Sequence, residues 1–389
     1  MNKLTVGVIF GGRSVEHEVS IISALQALQA LDAEKYQTVP IYISKQGQWY
    51  TGAALTELEN YRDLQALCKQ VKPVYFSPNY GEWQLIETGK QGLFAKPGSQ
   101  RLDVALPVLH GTHGEDGCLQ GLLELSGIPY AGPGVLGAAL GMDKIAMKAL
   151  LREAGLPVTD YLWFSREEWQ EHEEALLAKV EEAFPYPVIV KPANLGSSIG
   201  IGRATCREEL REALACAADF ASRIIVEVAV APLRELNCAV LGMGSQVEVS
   251  CIEEPLAAAE VLSFADKYLQ SAGSKGMGGA KRRIPAEIDD NLAAEITDLS
   301  RRAFAVLDGA GVARIDFLFN PQTKWLYINE LNTIPGSLAF YLFEPANLSF
   351  SALLEELVRL ALERYRAKEK LIFTYDSNIL AQGGFKGKK

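Results

Sequence analysis

Apolar positions along the chain change period repeatedly, and each change marks a boundary between predicted elements. Residues 4–10 (LTVGVIF) are a short apolar run that reads as a buried strand. Gly11 and Gly12 follow, and residues 18–31 repeat apolar positions at helical spacing. TVPIYI (38–43) returns to a strand pattern. Strand alternating with helix predicts an α/β unit with parallel strands. Residues 52–100 carry no clear period. VALPVLH (104–110) reads as a strand ending in the loop GTHGEDG, and 118–126 as a helix. The stretch 135–154 reads as one long helix carrying Asp143 and Lys144, and 166–184 as a charged amphipathic helix.

Further on, YPVIVKP (186–192) is a predicted strand, 207–218 a helix, and RIIVEVA (223–229), RELNCAVLG and QVEVSCI are predicted strands. Residues 256–284 lack periodicity and hold the basic glycine-rich GSKGMGGAKRR. A helix is expected at 286–308. GVARIDFLF (311–319) and KWLYINEL (324–331) form an expected hairpin around NPQT. The last helix is predicted at 349–367, followed by LIFTY as a candidate strand in the tail.

The hairpin holds the first candidate chemistry. Strand side chains alternate faces, so Arg314 and Asp316 point one way, as do Glu330 and Asn332. If the strands pair around NPQT, all four share a face, along with Leu318, Leu326 and Ile328. Two carboxylates and an amide oxygen suit Mg²⁺; the same residues also make an ordinary surface ion pair. NTIPG follows, where Gly336 lets backbone approach a ligand, or simply makes a turn.

Lys191 ends a strand, and GSSIGIG, with Ser197 and Ser198, follows five residues later. Glycines and hydroxyls of this kind wrap phosphate, or form a plain connection; the lysine precedes the glycines, so this is not a P-loop. Lys144 sits on a helix, where a lone lysine is usually solvated. Glu227 ends an apolar strand and Glu235 lies eight residues on. Either accepts from a nucleotide amino or hydroxyl group, or faces water.

Composition narrows the classes. At 389 residues the chain is long for one core, and two or three domains are expected. A net charge of −10 argues against a general nucleic-acid or membrane-surface binder. No run of 18 apolar residues and no signal-peptide pattern is visible, so a cytoplasmic location is expected. The six scattered cysteines read as reduced thiols, and four histidines are few for a transition-metal site.

In order along the chain, GGRSVEHEVS, LPVLHGTHGEDG, GMDKIAMK, VIVKPANLGSSIGIG, VEVAVAPLRE, DKY, ARIDF and INELNTIPG resemble the successive motifs of the D-alanine–D-alanine ligase family, in the ATP-grasp superfamily, over about residues 4–365. The resemblance implies an α/β three-domain architecture: a parallel-sheet, Rossmann-like N-terminal domain (1–125), a central domain (126–222), a C-terminal catalytic domain (223–370) with ATP between the last two, and a tail (371–389). It implies ligation through a D-alanyl phosphate for peptidoglycan precursors, with ATP and two Mg²⁺ (Mn²⁺ substituting), in a homodimer. Lys144, Lys191, Ser197 and Ser198 then contact ATP phosphates, Glu227 the adenine and Glu235 the ribose. Asp316, Glu330 and Asn332 hold the metal ions.

Glu16 matches the acid that receives the first D-alanine's ammonium, with His110 near that substrate. Ser197 and Tyr268 match the partners that link to Glu16, and Lys267 the lid lysine that reaches the transferred phosphate. Arg314 and the Gly336 N–H are assigned to the tetrahedral oxyanion, and 256–284 to a lid that excludes water. Tyr268 accompanies peptide formation in this family. Tyr341 stands where the family usually has a serine for the second substrate's carboxylate, which keeps D-serine and D-lactate open as acceptors. APLRE lacks the usual glycine before Arg-Glu. An ATP-binding regulator without catalysis is the reading from another class.

Overall fold

The structure is a computed structural model that describes residues 3–88, 97–256 and 282–377. The first lobe is built on strands β1 (Leu4–Gly11), β2 (Tyr36–Ile43), β3 (Trp49–Thr51), β4 (Lys72–Phe76), β5 (Gln84–Glu87), β6 (Ser99–Arg101) and β7 (Val104–Pro107), in the sheet order β6-β5-β4-β3-β2-β1-β7. Helices α1 (His17–Ala30), α2 (Leu64–Gln70) and α3 (Cys118–Ser126) belong to the same part of the chain. Only β2, β1 and β7 run parallel; β3 to β6 add on antiparallel. The expected parallel strands thus lie within a mixed sheet. The segment 52–100, which showed no period, supplies β4 to β6. Short strands of three to five residues are too brief to display alternation.

The predicted single helix 135–154 is two helices, α4 (Val135–Met142) and α5 (Lys144–Glu153). Asp143 between them is extended, and its carboxylate accepts from the N–H groups of Ile145 and Ala146. An aspartate at this position satisfies orphan helix-start donors, so it restarts the helix and aims Lys144 and Lys148 from the new axis. Beyond it lies a second sheet, of β8 (Tyr161–Ser165), β9 (Val188–Pro192), β10 (Gly202–Ala204) and β11 (Arg223–Val228), antiparallel in the order β10-β9-β11-β8. Helices α6 (Arg166–Ala183) and α7 (Arg207–Phe220) close its core, where Phe164, Leu177, Val190, Leu214 and Val226 are buried. Ser165 and Glu168 form a reciprocal cap at the start of α6.

A third sheet holds β12 (Arg234–Met243), β13 (Gln246–Val249), β16 (Ala310–Phe319) and β17 (Leu326–Asn332), all antiparallel, in the order β13-β12-β16-β17. The short strands β14 (Glu254–Pro255) and β15 (Arg282–Arg283) pair separately. Helix α8 (Asp290–Val306) covers one face. The last helix, α9 (Phe350–Lys368), returns to the first lobe: Leu353, Leu354 and Leu357 share a core with Phe10 and Leu106. LIFTY forms no strand and is mostly exposed. No described helix is long and apolar enough to cross a membrane.

Candidate functional site

The hairpin forms as its spacing predicted. Asn320 nucleates the turn, its side-chain oxygen accepting from the N–H groups of Gln322 and Thr323. Arg314 lies opposite Asn332, and Asp316 opposite Glu330. Arg314 grips Asp316 with two bonds, Nε to Oδ1 at 2.7 Å and Nη2 to Oδ2 at 2.8 Å, and Asn332 donates to Asp316 Oδ2 at 3.2 Å. The carboxylate neighbour holds the half-buried Arg314 guanidinium well above its ordinary range, so the arginine is permanently charged.

One expectation about this face fails. The register shifts between Asp316 and Phe317, so that Phe317 pairs with Ile328 and Asn329 is the extra residue. Leu326 and Ile328 therefore point into the core with Phe317 and Phe319 rather than sharing the polar face. The bulge also re-aims Asn329, whose Oδ1 accepts from Lys191 Nζ at 3.0 Å. A strict two-residue alternation does not find Asn329.

Glu227 is not a strand-end charge facing water. Its side chain is 2% exposed and lies between Lys148 Nζ at 2.8 Å and Lys191 Nζ at 2.5 Å. The two ammonium groups outweigh burial and hold its carboxyl down at about 2. Lys191 is raised, because Glu227, Glu330 and Glu235 together overcome its desolvation. Lys148, fully buried, is lowered by that burial. Sequence reasoning passed over Lys148; its only signal is its position four residues after Lys144, one helical turn further along the same face. Lys144 is buried too. It donates to the Leu195 carbonyl at 2.8 Å and lies 3.3 Å from Glu330 Oε2. Glu235 is exposed at the start of β12.

A second group gathers around Glu16, which follows β1. Its carboxylate is buried, accepts a hydrogen bond from Ser197 Oγ, and packs so closely against Gly111 and Gly196 that a Cβ at either would collide with it. Ser197 and Ser198 both have positive φ, with values of 53° and 59°, which bends the loop over Glu16. His110 is buried and lowered to about 4 by desolvation, so it is neutral near pH 7. Its Nδ1 lies 2.7 Å from the Ile334 carbonyl and must carry the proton; Nε2 then accepts from Ser23 Oγ at 2.9 Å, and Ser23 Oγ accepts from the Ser337 N–H. His110 thus pins the loop that contains Gly336.

Glu115 pins it from the other side. It accepts from the N–H groups of Gly111 and Ile334, both at 2.8 Å, and burial beside Glu16 raises its carboxyl. Neither Glu115 nor Ser23 was singled out in the sequence. The GEDG tetrapeptide was the available signal, but which of its acids turns inward depends on the loop. Tyr341, in the 3₁₀ turn Gly336–Leu342, reaches Glu253 Oε2 at 3.3 Å. Lys267 and Tyr268, with Lys275 and Lys281 and nearly all of the expected lid, lie outside the described residues.

Asn237 on β12 is opposite Asp316, so Asn237, Asp316 and Glu330 stand side by side on three strands. The Asn237 side-chain oxygen is buried with no hydrogen-bond partner among the described residues. An orphaned oxygen beside two carboxylates and Asn332 fits a hard divalent cation. No cluster of three or more His, Cys, Asp or Glu suited to a metal occurs among the described residues, so any ion here relies on amide oxygens as well.

Two antiparallel sheets that face lysines toward an acid-lined strand pair define the architecture of an ATP-grasp enzyme. Residues 5–133 match the D-ala D-ala ligase N-terminus family and residues 150–359 the D-ala D-ala ligase C-terminus family. The chain is 41% identical over 378 residues to a D-alanine–D-alanine ligase of Bacillus cytotoxicus, covering 96% of this chain and 100% of the relative. It is 39% identical to one of Thermosipho melanesiensis, covering 97% and 98%. Among solved structures, the D-alanine–D-alanine ligase from Coxiella burnetii superposes with a TM-score of 0.79 at 28% identity, covering 98% of this chain and 100% of that one. The VanG D-Ala:D-Ser ligase from Enterococcus faecalis gives 0.77 at 30%, covering 92% and 100%. The chain belongs to the D-alanine–D-alanine ligase family.

Proposed function

We propose that the protein joins two D-alanines at the expense of ATP, giving D-alanyl-D-alanine, ADP and phosphate for peptidoglycan precursors. The observation that carries this reading is the β16–β17 register, with Arg314 and Asp316 opposite Asn332 and Glu330, and Lys144 beside Glu330.

A carboxylate is a poor electrophile, so the first D-alanine must be activated by γ-phosphoryl transfer. Lys144 and Lys191 neutralise the phosphates, and Ser197 and Ser198 wrap them from their loop. Glu227 reaches the adenine side, through its hold on Lys191, and Glu235 the ribose. Asp316, Glu330 and Asn332 would hold Mg²⁺, with Asn237 beside them; such ions neutralise charge developing on the phosphoryl oxygens. Glu16, held by Ser197, receives the first ammonium, and neutral His110 keeps the adjoining loop in place. The second amine then attacks the acyl carbon, and phosphate leaves. Arg314 and the Gly336 N–H stabilise the oxyanion of that step. Lys267 and Tyr268 are assigned to closure over the phosphate and to the link with Glu16; Lys267→Ala should slow acyl-phosphate formation, and an unaltered single-turnover rate would remove it from the mechanism.

Tyr341 favours one second reading, ligation to D-serine or D-lactate, because it replaces the serine usual at the acceptor position. Incubation with ATP, Mg²⁺ and D-alanine, alone and with D-serine or D-lactate, separates these by product mass. Absence of a D-alanyl product from every mixture would overturn the reading. A homodimer of three-domain chains in the cytoplasm completes the proposal, and sedimentation of the purified protein tests the dimer.

A further inference from the structure

We infer that Asn237 supplies a further protein oxygen, from β12, to the divalent cation that Asp316, Glu330 and Asn332 would hold; the inference rests on the metal site in the reading above. Along β12 its neighbours Leu236 and Cys238 are buried in the core shared with α8. Strand side chains alternate, so Asn237 faces the opposite way, onto the polar face. It pairs directly with Asp316, which pairs with Glu330. Directly opposed residues stand about 5 Å apart at Cβ, so one ion can touch oxygens from neighbouring strands. On its other side Asn237 bridges to Glu253, and that bridge uses both of its backbone groups. The Asn237 N–H donates to the Glu253 carbonyl at 2.9 Å, and its carbonyl accepts from the Glu253 N–H at 2.7 Å.

What remains is the side-chain oxygen, which is buried without a hydrogen-bond partner among the described residues, in a residue 8% exposed. The carboxylates of this face are engaged. Asp316 accepts from Arg314 Nε, Arg314 Nη2 and Asn332 Nδ2, and Glu330 lies beside Lys144. A buried acceptor left without a donor destabilises the fold, because folding strips its water and returns nothing. Its place beside two carboxylates gives that oxygen a use. A hard cation takes neutral amide oxygens together with carboxylates. A neutral ligand also completes the coordination without adding charge to a face where Asp316 already acts on the buried Glu253.

The test is Mn²⁺ binding to the full-length protein in the presence of ADP, read by electron paramagnetic resonance. ADP affinity and the melting temperature are measured without metal alongside it. Asn237→Leu nearly keeps the volume and removes the oxygen. It should weaken Mn²⁺ binding about tenfold or more and leave metal-free ADP affinity unchanged. The metal-free melting temperature should not fall, because an orphaned acceptor has gone. Unchanged Mn²⁺ affinity overturns the inference, as does a loss of metal-free ADP affinity equal to the loss of Mn²⁺ affinity. Should Asn237→Leu fail to fold, Asn237→Asp decides instead: its added carboxylate must tighten Mn²⁺ binding, and unaltered or weaker binding overturns the inference. A wild-type protein that binds no Mn²⁺ with ADP sinks the metal site itself and is recognisable as a different failure.

Discussion

Two charged clusters sit on neighbouring sheets and differ in their access to water. In the Lys148–Glu227–Lys191 cluster, the side chains of Lys148 and Glu227 are 0% and 2% exposed. In the Arg314–Asp316–Asn332 cluster, Arg314 and Asp316 are 20% and 18% exposed. The first is sealed. Its charges exist because each compensates another, and it fixes where Lys191 stands. The second is left ajar, so its oxygens and its arginine can exchange protein contacts for ligand contacts. The burial of Lys148 and Glu227 suits them to positioning Lys191, whereas the partial exposure of Arg314 and Asp316 leaves that cluster open to ligand.

The largest way to break the contrast is Glu227→Ala, which strands two buried ammonium groups. A loss of about 3–5 kcal/mol in urea unfolding is expected; a loss under about 1 kcal/mol would show that water already reaches the cluster. The pH dependence follows from the same residue. Its carboxyl is held at about 2, below an ordinary 4.5, so the stability it contributes is full above 4.5 and is lost as pH falls through 2. Glu227→Gln should flatten the acid limb of the stability curve over that window.

Arg314→Ala probes the open cluster and should cost catalysis rather than stability. Roughly 3 kcal/mol of transition-state stabilisation corresponds to about a hundredfold lower kcat, with ATP affinity little changed; near-normal dipeptide formation would remove Arg314 from the mechanism. Asp143→Ala tests the device that aims α5 at the sealed cluster. Loss of its cap should cost about 1 kcal/mol in thermal or urea unfolding. The smallest effect belongs to an exposed pair. Arg302 lies 3.4 Å from Asp298 on α8, with side chains 48% and 66% exposed. Arg302→Ala should change stability by less than about 0.5 kcal/mol, and a larger loss would blur the distinction drawn here.

The helices α6, α7 and α8 and the strands β9, β11, β12, β13, β16 and β17 were readable from their patterns, whereas β8 and β10 of the second sheet were not predicted. The four hairpin residues were readable because a strand alternates every two positions, whatever else packs nearby. The register of β16 and β17 agrees. What alternation cannot convey is a bulge, and the bulge at Asn329 turned Ile328 and Leu326 inward while adding Asn329 to the lysine site. Asp143 looked like one more residue of a long helix because a capping aspartate and a helical aspartate share one letter.

The sequence by itself determined the α/β alternation, the collinear motifs and the pairing of Arg314, Asp316, Glu330 and Asn332, since these depend on local spacing. Only the tertiary structure decided that Lys148 is buried, that Glu227 serves two lysines, that Glu115 and His110 clamp the Gly336 loop, and that Arg282 lies on Tyr341. The reason is physical. A charge's role depends on what desolvates it and what compensates it, and the compensating groups stand far away along the chain, from 36 positions for Lys191 and Glu227 to 224 for His110 and Ile334.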